Sequence, residues 1–180
     1  MRIGRKRGIG SGLGLLTTVL VAATAVADGS PGDATAEHAL ALCKRVDLDT
    51  DPDATLARAL RLAEDAVAAD ARSARAHLAV FCSIGKELER SGLGLRTLGK
   101  LRRLGQEIDR AFELAPGDPE ILASRGAYLA TLPRALGGDP AEGERLLRQA
   151  VLADPDNVDA RRYLARVVAS RGGDEAAASL

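Results

Sequence analysis

From residue 34 onward, apolar residues return every three or four positions, the period of a helix with one buried face. The pattern predicts helices over about 34–47, 53–70, 73–90, 95–114, 119–132, 140–153 and 157–171, with a short one at 174–179. Within 53–70, Leu56, Leu60, Leu62, Ala63 and Val67 make one stripe, while Arg58, Arg61, Glu64 and Asp65 fall largely elsewhere. Asp-Pro pairs punctuate the pattern at Asp51, Asp118, Asp139 and Asp154. At Asp118 and Asp139 the carboxylate can cap the orphan amides of the next helix. The proline then fills the first helical position, where its missing N–H costs nothing. Glu142 stands where a capping-box acid belongs, and Gly172-Gly173 predicts the end of the preceding helix. Loops of about three to eight residues make successive helices antiparallel neighbours. The fold class is therefore all-α, either a bundle or a stack of helical hairpins.

Internal repetition favours the stack. The phrase Ala111-Phe112-Glu113-Leu114-Ala115-Pro116 returns as Ala150-Val151-Leu152-Ala153-Asp154-Pro155, and Ala66 to Ala71 is the same phrase with Ala71 in place of the proline. His38-Ala39-Leu40-Ala41-Leu42-Cys43 is echoed 39 residues later by His77-Leu78-Ala79-Val80-Phe81-Cys82, and Tyr163-Leu164-Ala165 starts the phrase again.

On these residues the chain resembles tetratricopeptide-repeat proteins, over about residues 50–180. That family sets small residues where helices A and B of each hairpin touch, and a proline at the end of helix B. Ala59, Ala63 and Ala66 fit the first unit; Ile108, Ala111 and Pro116 the second; Gly126, Leu147, Ala150 and Pro155 the third; Leu164, Ala165, Gly172 and Ala177 the fourth. Two units run long, one around Ser91 to Thr97 and one at Leu132 to Pro140. The second insertion, and the run Glu107 to Pro116, look like a subset that includes the T component of tripartite (TRAP) transport systems and the regulator-of-microtubule-dynamics proteins. The resemblance implies a solenoid of about three and a half hairpins, spanning residues 34–180, that binds another protein and carries no catalytic residues.

The N-terminus adds a compartment. Arg2, Arg5, Lys6 and Arg7 precede an uncharged stretch, most apolar from Leu13 to Val26, which ends in the small-x-small run Ala25-Val26-Ala27. Residues 1–27 read as a cleaved secretory signal and 28–33 as a flexible, breaker-rich junction, which places the protein in the periplasm or outside the cell. The alternative is an uncleaved N-terminal membrane anchor. No other segment is expected to span a membrane.

Composition narrows the partners. The chain holds 25 basic and 25 acidic residues; with four of the basic ones in residues 1–27, the remainder carries 21 basic and 25 acidic. That excludes a whole-domain basic footprint for nucleic acid. Two Phe, two Tyr and no Trp argue against a base-stacking platform.

Candidate chemistry is sparse. Cys43 and Cys82 could bridge in an oxidising compartment if their side chains lean together, although helix axes lie about 8–10 Å apart and a disulfide wants Cα atoms within about 7 Å. The plain alternative is two small buried hydrophobes. His38 with Cys43, and His77 with Cys82, sit five apart, about 140° around a helix, so no metal site is expected. Gly92-Leu93-Gly94 and Gly99-Lys100 lack the context of a phosphate loop. Arg90, Arg96, Lys100, Arg102 and Arg103 form a basic run, read as a solvated face paired with flanking acids. Asp47, Asp49, Asp51 and Asp53 lack the glycine and closing glutamate of a calcium loop and read as a capping turn. With no nucleophile–base pair, no enzyme and no cofactor are expected.

The expected function is an exported scaffold for protein–protein interaction in the cell envelope. Its narrower form is a transport accessory docking a substrate-binding protein. Its partner would be another envelope protein or a second copy of the chain. The alternative is a periplasmic carrier of a small molecule or lipid. The A-helix groove residues expected to meet the partner are His77, Phe81, Arg125, Tyr128, Arg162 and Tyr163.

Overall fold

A computed structural model describes residues 31–92 and 94–178. The expected signal, residues 1–27, lies outside them. Among the described residues there are seven α-helices and no strand: α1 (Pro31–Arg45), α2 (Pro52–Ala69), α3 (Ala74–Ser91), α4 (Leu98–Leu114), α5 (Pro119–Thr131), α6 (Pro140–Ala153) and α7 (Val158–Ala178). Short 3-10 turns cover Val46–Leu48, Leu95–Thr97 and Arg134–Leu136.

The helix starts follow from their caps. Asp118 accepts the amides of Glu120 and Ile121, and Asp139 those of Ala141 and Glu142, each ahead of a proline in the first turn. Asp51 and Ser73 cap α2 and α3 through the amides of Ala54 and Ala76. Three expectations need correction. Glu142 does not close a capping box: its carboxylate takes Arg145, and the Asp139 amide donates instead to the Leu129 carbonyl at 2.9 Å. The helix at 157–171 does not stop at Gly172-Gly173 but runs on to Ala178, because neither glycine takes the left-handed turn that would end it. The junction gives up its last three residues to α1, where Asp33 accepts a 2.7 Å hydrogen bond from the Ser73 hydroxyl. The left-handed backbone falls instead on Gly92, which ends α3 at φ 76°, and on Gly137, which ends the Arg134–Leu136 turn at φ 92°.

Packing repeats along the chain. Ala36 near the start of α1 meets Ala66 near the end of α2, and Leu42 and Cys43 meet Ala59, so α1 and α2 are antiparallel. Ala36 also meets Ala76, and Cys43 meets Cys82, so α1 and α3 run parallel. From α1 and α2 to α3 and α4, side-chain bonds keep one register: Asp33–Ser73 spans 40 residues, Glu37–Arg75 38, Asp47–Lys86 39 and, from α2 to α4, Glu64–Arg103 39. Small residues make this closeness available. Ala36, Ala39 and Cys43 on α1, Ala59, Ala63 and Ala66 on α2, and Ala76, Ala79 and Ser83 on α3 are all essentially fully buried.

Leu78, Ile84, Leu104, Ile108 and Ile121 carry the apolar core across α3, α4 and α5. Each such side chain contributes about 1.5–3 kcal/mol on burial. A second cluster joins Leu122 and Ala123 of α5, Leu146 and Ala150 of α6 and Ala160 of α7, and Phe112 packs against both clusters. In the α5–α6 pair Gly126 and Gly143 face each other. A Cβ on Gly126 would lie 2.9 Å from the Gly143 carbonyl oxygen, and one on Gly143 2.7 Å from the Ala130 amide nitrogen. Two glycines therefore set how closely these helices approach.

Candidate functional site

Charged side chains of α1, α3 and α5 meet in one network, Arg75 and Glu120 near the starts of α3 and α5, Glu37 and Lys44 along α1. Arg75 of α3 donates to Glu37 of α1 at 2.6 Å and to Glu120 of α5 at 2.8 Å, and Lys44 of α1 pairs with Glu120 at 2.5 Å. Burial opposes the charge on both Arg75 and Glu120. The hydrogen bonds outweigh it, raising the Arg75 pKa and holding the Glu120 carboxyl below its usual range. The network fastens three helices and leaves these charges engaged with one another.

Of the residues expected in the groove, His77 lies inside. It is 8% exposed, with Nδ1 2.7 Å from a Glu107 carboxylate oxygen and Nε2 3.1 Å from the Ala71 carbonyl oxygen. Both ring nitrogens face acceptors, an arrangement that is fully satisfied only when the ring carries both protons. The Glu107 hydrogen bond raises the His77 pKa against the effect of burial. Burial pushes Glu107 upward, but His77 and Arg103 outweigh it and hold it low. With no free lone pair, His77 is a strut between α3 and α4 and not a base. It offers no open edge to a partner.

Phe81 and Tyr128 come together. Their rings meet edge to face at 6.1 Å, joining α3 to α5. The Tyr128 hydroxyl lies over Gly105 of α4, where a Cβ would stand 2.6 Å away. Arg125 is turned inward, its guanidinium 4.2 Å from the centre of the Phe112 ring and 3.1 Å from Asp109. Arg162 and Tyr163 form a separate group on α7. Arg162 pairs with Asp159 at 2.9 Å, and the Tyr163 ring sits between Arg162 and Arg166, at 5.2 and 5.7 Å. The six residues thus divide into a buried strut, an aromatic pair, an inward arginine and an exposed group on α7.

Cys43 and Cys82 are joined, with Cα atoms 6.3 Å apart, fixing α1 to α3. The small residues on those helices supply the approach that ordinary helix spacing would not. Most of the basic run is paired. Arg90 bonds Asp53, Lys100 bonds Glu87, and Arg103 bonds Glu64 and Glu107. The acidic turn is spent locally: Asp47 takes Lys86, Asp49 takes the Thr55 hydroxyl, and Asp51 caps α2.

One feature was missed by sequence reasoning. A cleft of about 430 Å³ opens between α4, α5 and the Arg134–Leu136 turn, lined by Leu98, Leu101, Arg102, Gly105, Gln106, Asp109, Tyr128 and Leu136. Leu98 is 50% and Leu136 42% exposed, far above the buried leucines of the core. The available signal was the pair of insertions, since Leu98 directly follows one and Leu136 lies within the other.

Among the described residues, no group of three or more His, Cys, Asp or Glu could hold a metal ion, and no helix is long and apolar enough to cross a membrane. The chain matches no protein-family model and no curated protein.

Proposed function

We propose that this chain is an exported scaffold built of tetratricopeptide-like hairpins, which holds another protein of the cell envelope. In its narrower form it is a transport accessory that docks a substrate-binding protein. The observation that carries this reading is the repeated register. Bonds from α1 to α3 span 38 to 40 residues, and the bond from α2 to α4 spans 39. Such a register is what one hairpin laid on the next would give, an arrangement that leaves a long face for binding. The small residues of the repeat phrases support it too: Ala59, Ala63, Ala66, Ala111, Ala150 and Gly126 are all buried where helices meet. Export draws support from the Cys43–Cys82 bridge, which persists in oxidising compartments, and from the charged-then-apolar pattern of residues 1–27.

The cleft beside Tyr128 favours a second reading, a carrier of a small molecule or lipid. Its volume of about 430 Å³ lies within the usual range for ligand sites. It is open to solvent, which suits a segment of chain better than an enclosed ligand.

The test is crosslinking in the native host with the tagged full chain, followed by mass spectrometry. One dominant envelope protein is the expected result. Self-crosslinks alone, or a co-purifying small molecule without a protein partner, would overturn the scaffold reading.

A further inference from the structure

We propose that the cleft between α4, α5 and the Arg134–Leu136 turn docks an acidic peptide segment of a partner protein through one or two apolar anchor side chains. The inference rests on the scaffold reading and names the face and the partner's chemistry.

Three observations converge. Both departures from the repeat length deliver their residues to this one place. The Leu95–Thr97 turn sets Leu98 on one rim, and the Arg134–Leu136 turn sets Leu136 on the other. A solenoid tolerates insertions in its loops, and two that meet at one cleft shape a surface. The second observation is apolar exposure. Leu98 and Leu136 stand half in solvent above a floor of Leu101 and Tyr128. Such a rim and floor cover one or two apolar side chains, the anchor geometry of peptide docking.

Charge selects the occupant. Arg90, Lys100 and Arg103 of the basic run are each matched to an acid. Arg102 in the cleft, Arg96 on one flanking turn and Arg134 on the other have no acidic partner among the described residues. The cleft's own acid, Asp109, is held by Arg125 at 3.1 Å. The cleft therefore holds one uncompensated guanidinium, Arg102, beside an apolar floor, with Arg96 and Arg134 on the two flanking turns, and complementarity asks for carboxylates flanking leucine- or phenylalanine-like anchors. The Tyr128 hydroxyl, which donates to no described residue, is a further donor at the floor.

The experiment is selection of a random 12-residue peptide-display library against the full, oxidised chain, with winners re-measured as labelled peptides by fluorescence anisotropy. Winners should combine Asp or Glu with one or two large apolar residues. Their affinity should fall at least tenfold in both Arg102→Glu and Leu136→Glu. Both side chains are exposed, so circular dichroism of each variant should match the parent. Absence of enrichment, basic winners, or winners that bind both variants as well as the parent would each overturn the proposal. The same variants in host crosslinking separate the two readings. A partner captured equally by parent and variants sinks the cleft and leaves the scaffold. Peptides that need Arg102 and Leu136, with no host partner captured, support the cleft and sink the scaffold.

Discussion

Alanine substitution of three glycines tests whether α5 and α6 are packed backbone to backbone. In a helix interior, Gly→Ala stabilises by about 1 kcal/mol when the new methyl has room. At Gly85 of α3 it has room: the nearest atom to an added Cβ is Leu104 Cδ1 at 3.7 Å, an ordinary contact. Gly85→Ala should gain about 0.5–1 kcal/mol. At Gly126 the added Cβ meets the Gly143 carbonyl oxygen at 2.9 Å and the Leu147 amide nitrogen at 3.0 Å. These are backbone atoms and cannot rotate away, so the helices must part, drawing apart the side chains around fully buried Leu146 and Leu147. Overpacking of this kind costs about 1–3 kcal/mol. Set against the helix-propensity gain of about 1 kcal/mol, Gly126→Ala and Gly143→Ala should each lose up to about 2 kcal/mol, and Gly126→Leu more. Urea unfolding at constant m-value reads the difference, as does a fall in Tm of about 2–4 °C per kcal/mol. If Gly126→Ala and Gly85→Ala move stability in the same direction, the close α5–α6 approach is wrong.

Further expectations follow from the same geometry. The Cys43–Cys82 bridge spans 39 residues, so Cys43→Ala with Cys82→Ala should lose about 4 kcal/mol of loop-closure stabilisation; equal urea midpoints for the oxidised parent and the double variant would contradict this. His77 has a raised pKa, so its stabilising pairing is complete below its ordinary value of 6.5 and is lost as pH rises through the raised value. Glu107 is lowered, so its contribution is present above 4.5 and lost as pH falls through the lowered value. Between those ordinary values both contributions stand in full, and His77→Gln should flatten the fall in unfolding free energy from there to alkaline pH; parallel pH profiles for parent and variant would refute a charged His77. Asp118→Ala removes the acceptor for two amides at the start of α5 and should cost about 1 kcal/mol, with Asp118→Asn recovering most of it by thermal unfolding.

Much of the architecture was legible because it was written in short-range chemistry. Helical periodicity located the first six helices to within about three residues, and the Asp-Pro pairs at Asp118 and Asp139 marked two starts that the structure caps as expected. Long-range chemistry was less legible. His77 sits in a phrase that reads as an open helix face. Its burial depends on Glu107, 30 residues away on α4, and on the Ala71 carbonyl, which no local pattern reveals. Gly172-Gly173 misled because glycine permits a helix to end without obliging it to. The bridging of Cys43 and Cys82 depended on how closely α1 and α3 approach, which the stripes of small residues on both helices decide.

The cleft illustrates how a local irregularity becomes a long-range feature. From α1 to α3 the register is 38 to 40 residues, held by Glu37–Arg75, Asp47–Lys86 and the disulfide. From α3 to α5 it becomes 45, read from Arg75–Glu120. The Gly92 break and the Leu95–Thr97 turn both fall within that span, between α3 and α4. They leave α4 beginning at Leu98, on the same face as the Leu132–Pro140 insertion. A chain of strictly equal units would pass directly from helix to helix there. This one sets two half-exposed leucines around Tyr128 instead, and Gly105 lets the Tyr128 ring lie low enough over α4 to form the floor. Gly105→Ala should therefore lift the ring and perturb the cleft before it perturbs the fold. The contact it meets is the hydroxyl end of a half-buried side chain, whereas at Gly126 it is backbone. A Gly105→Ala variant that unfolds as readily as Gly126→Ala would mean that Tyr128 is part of the core and not the floor of a surface.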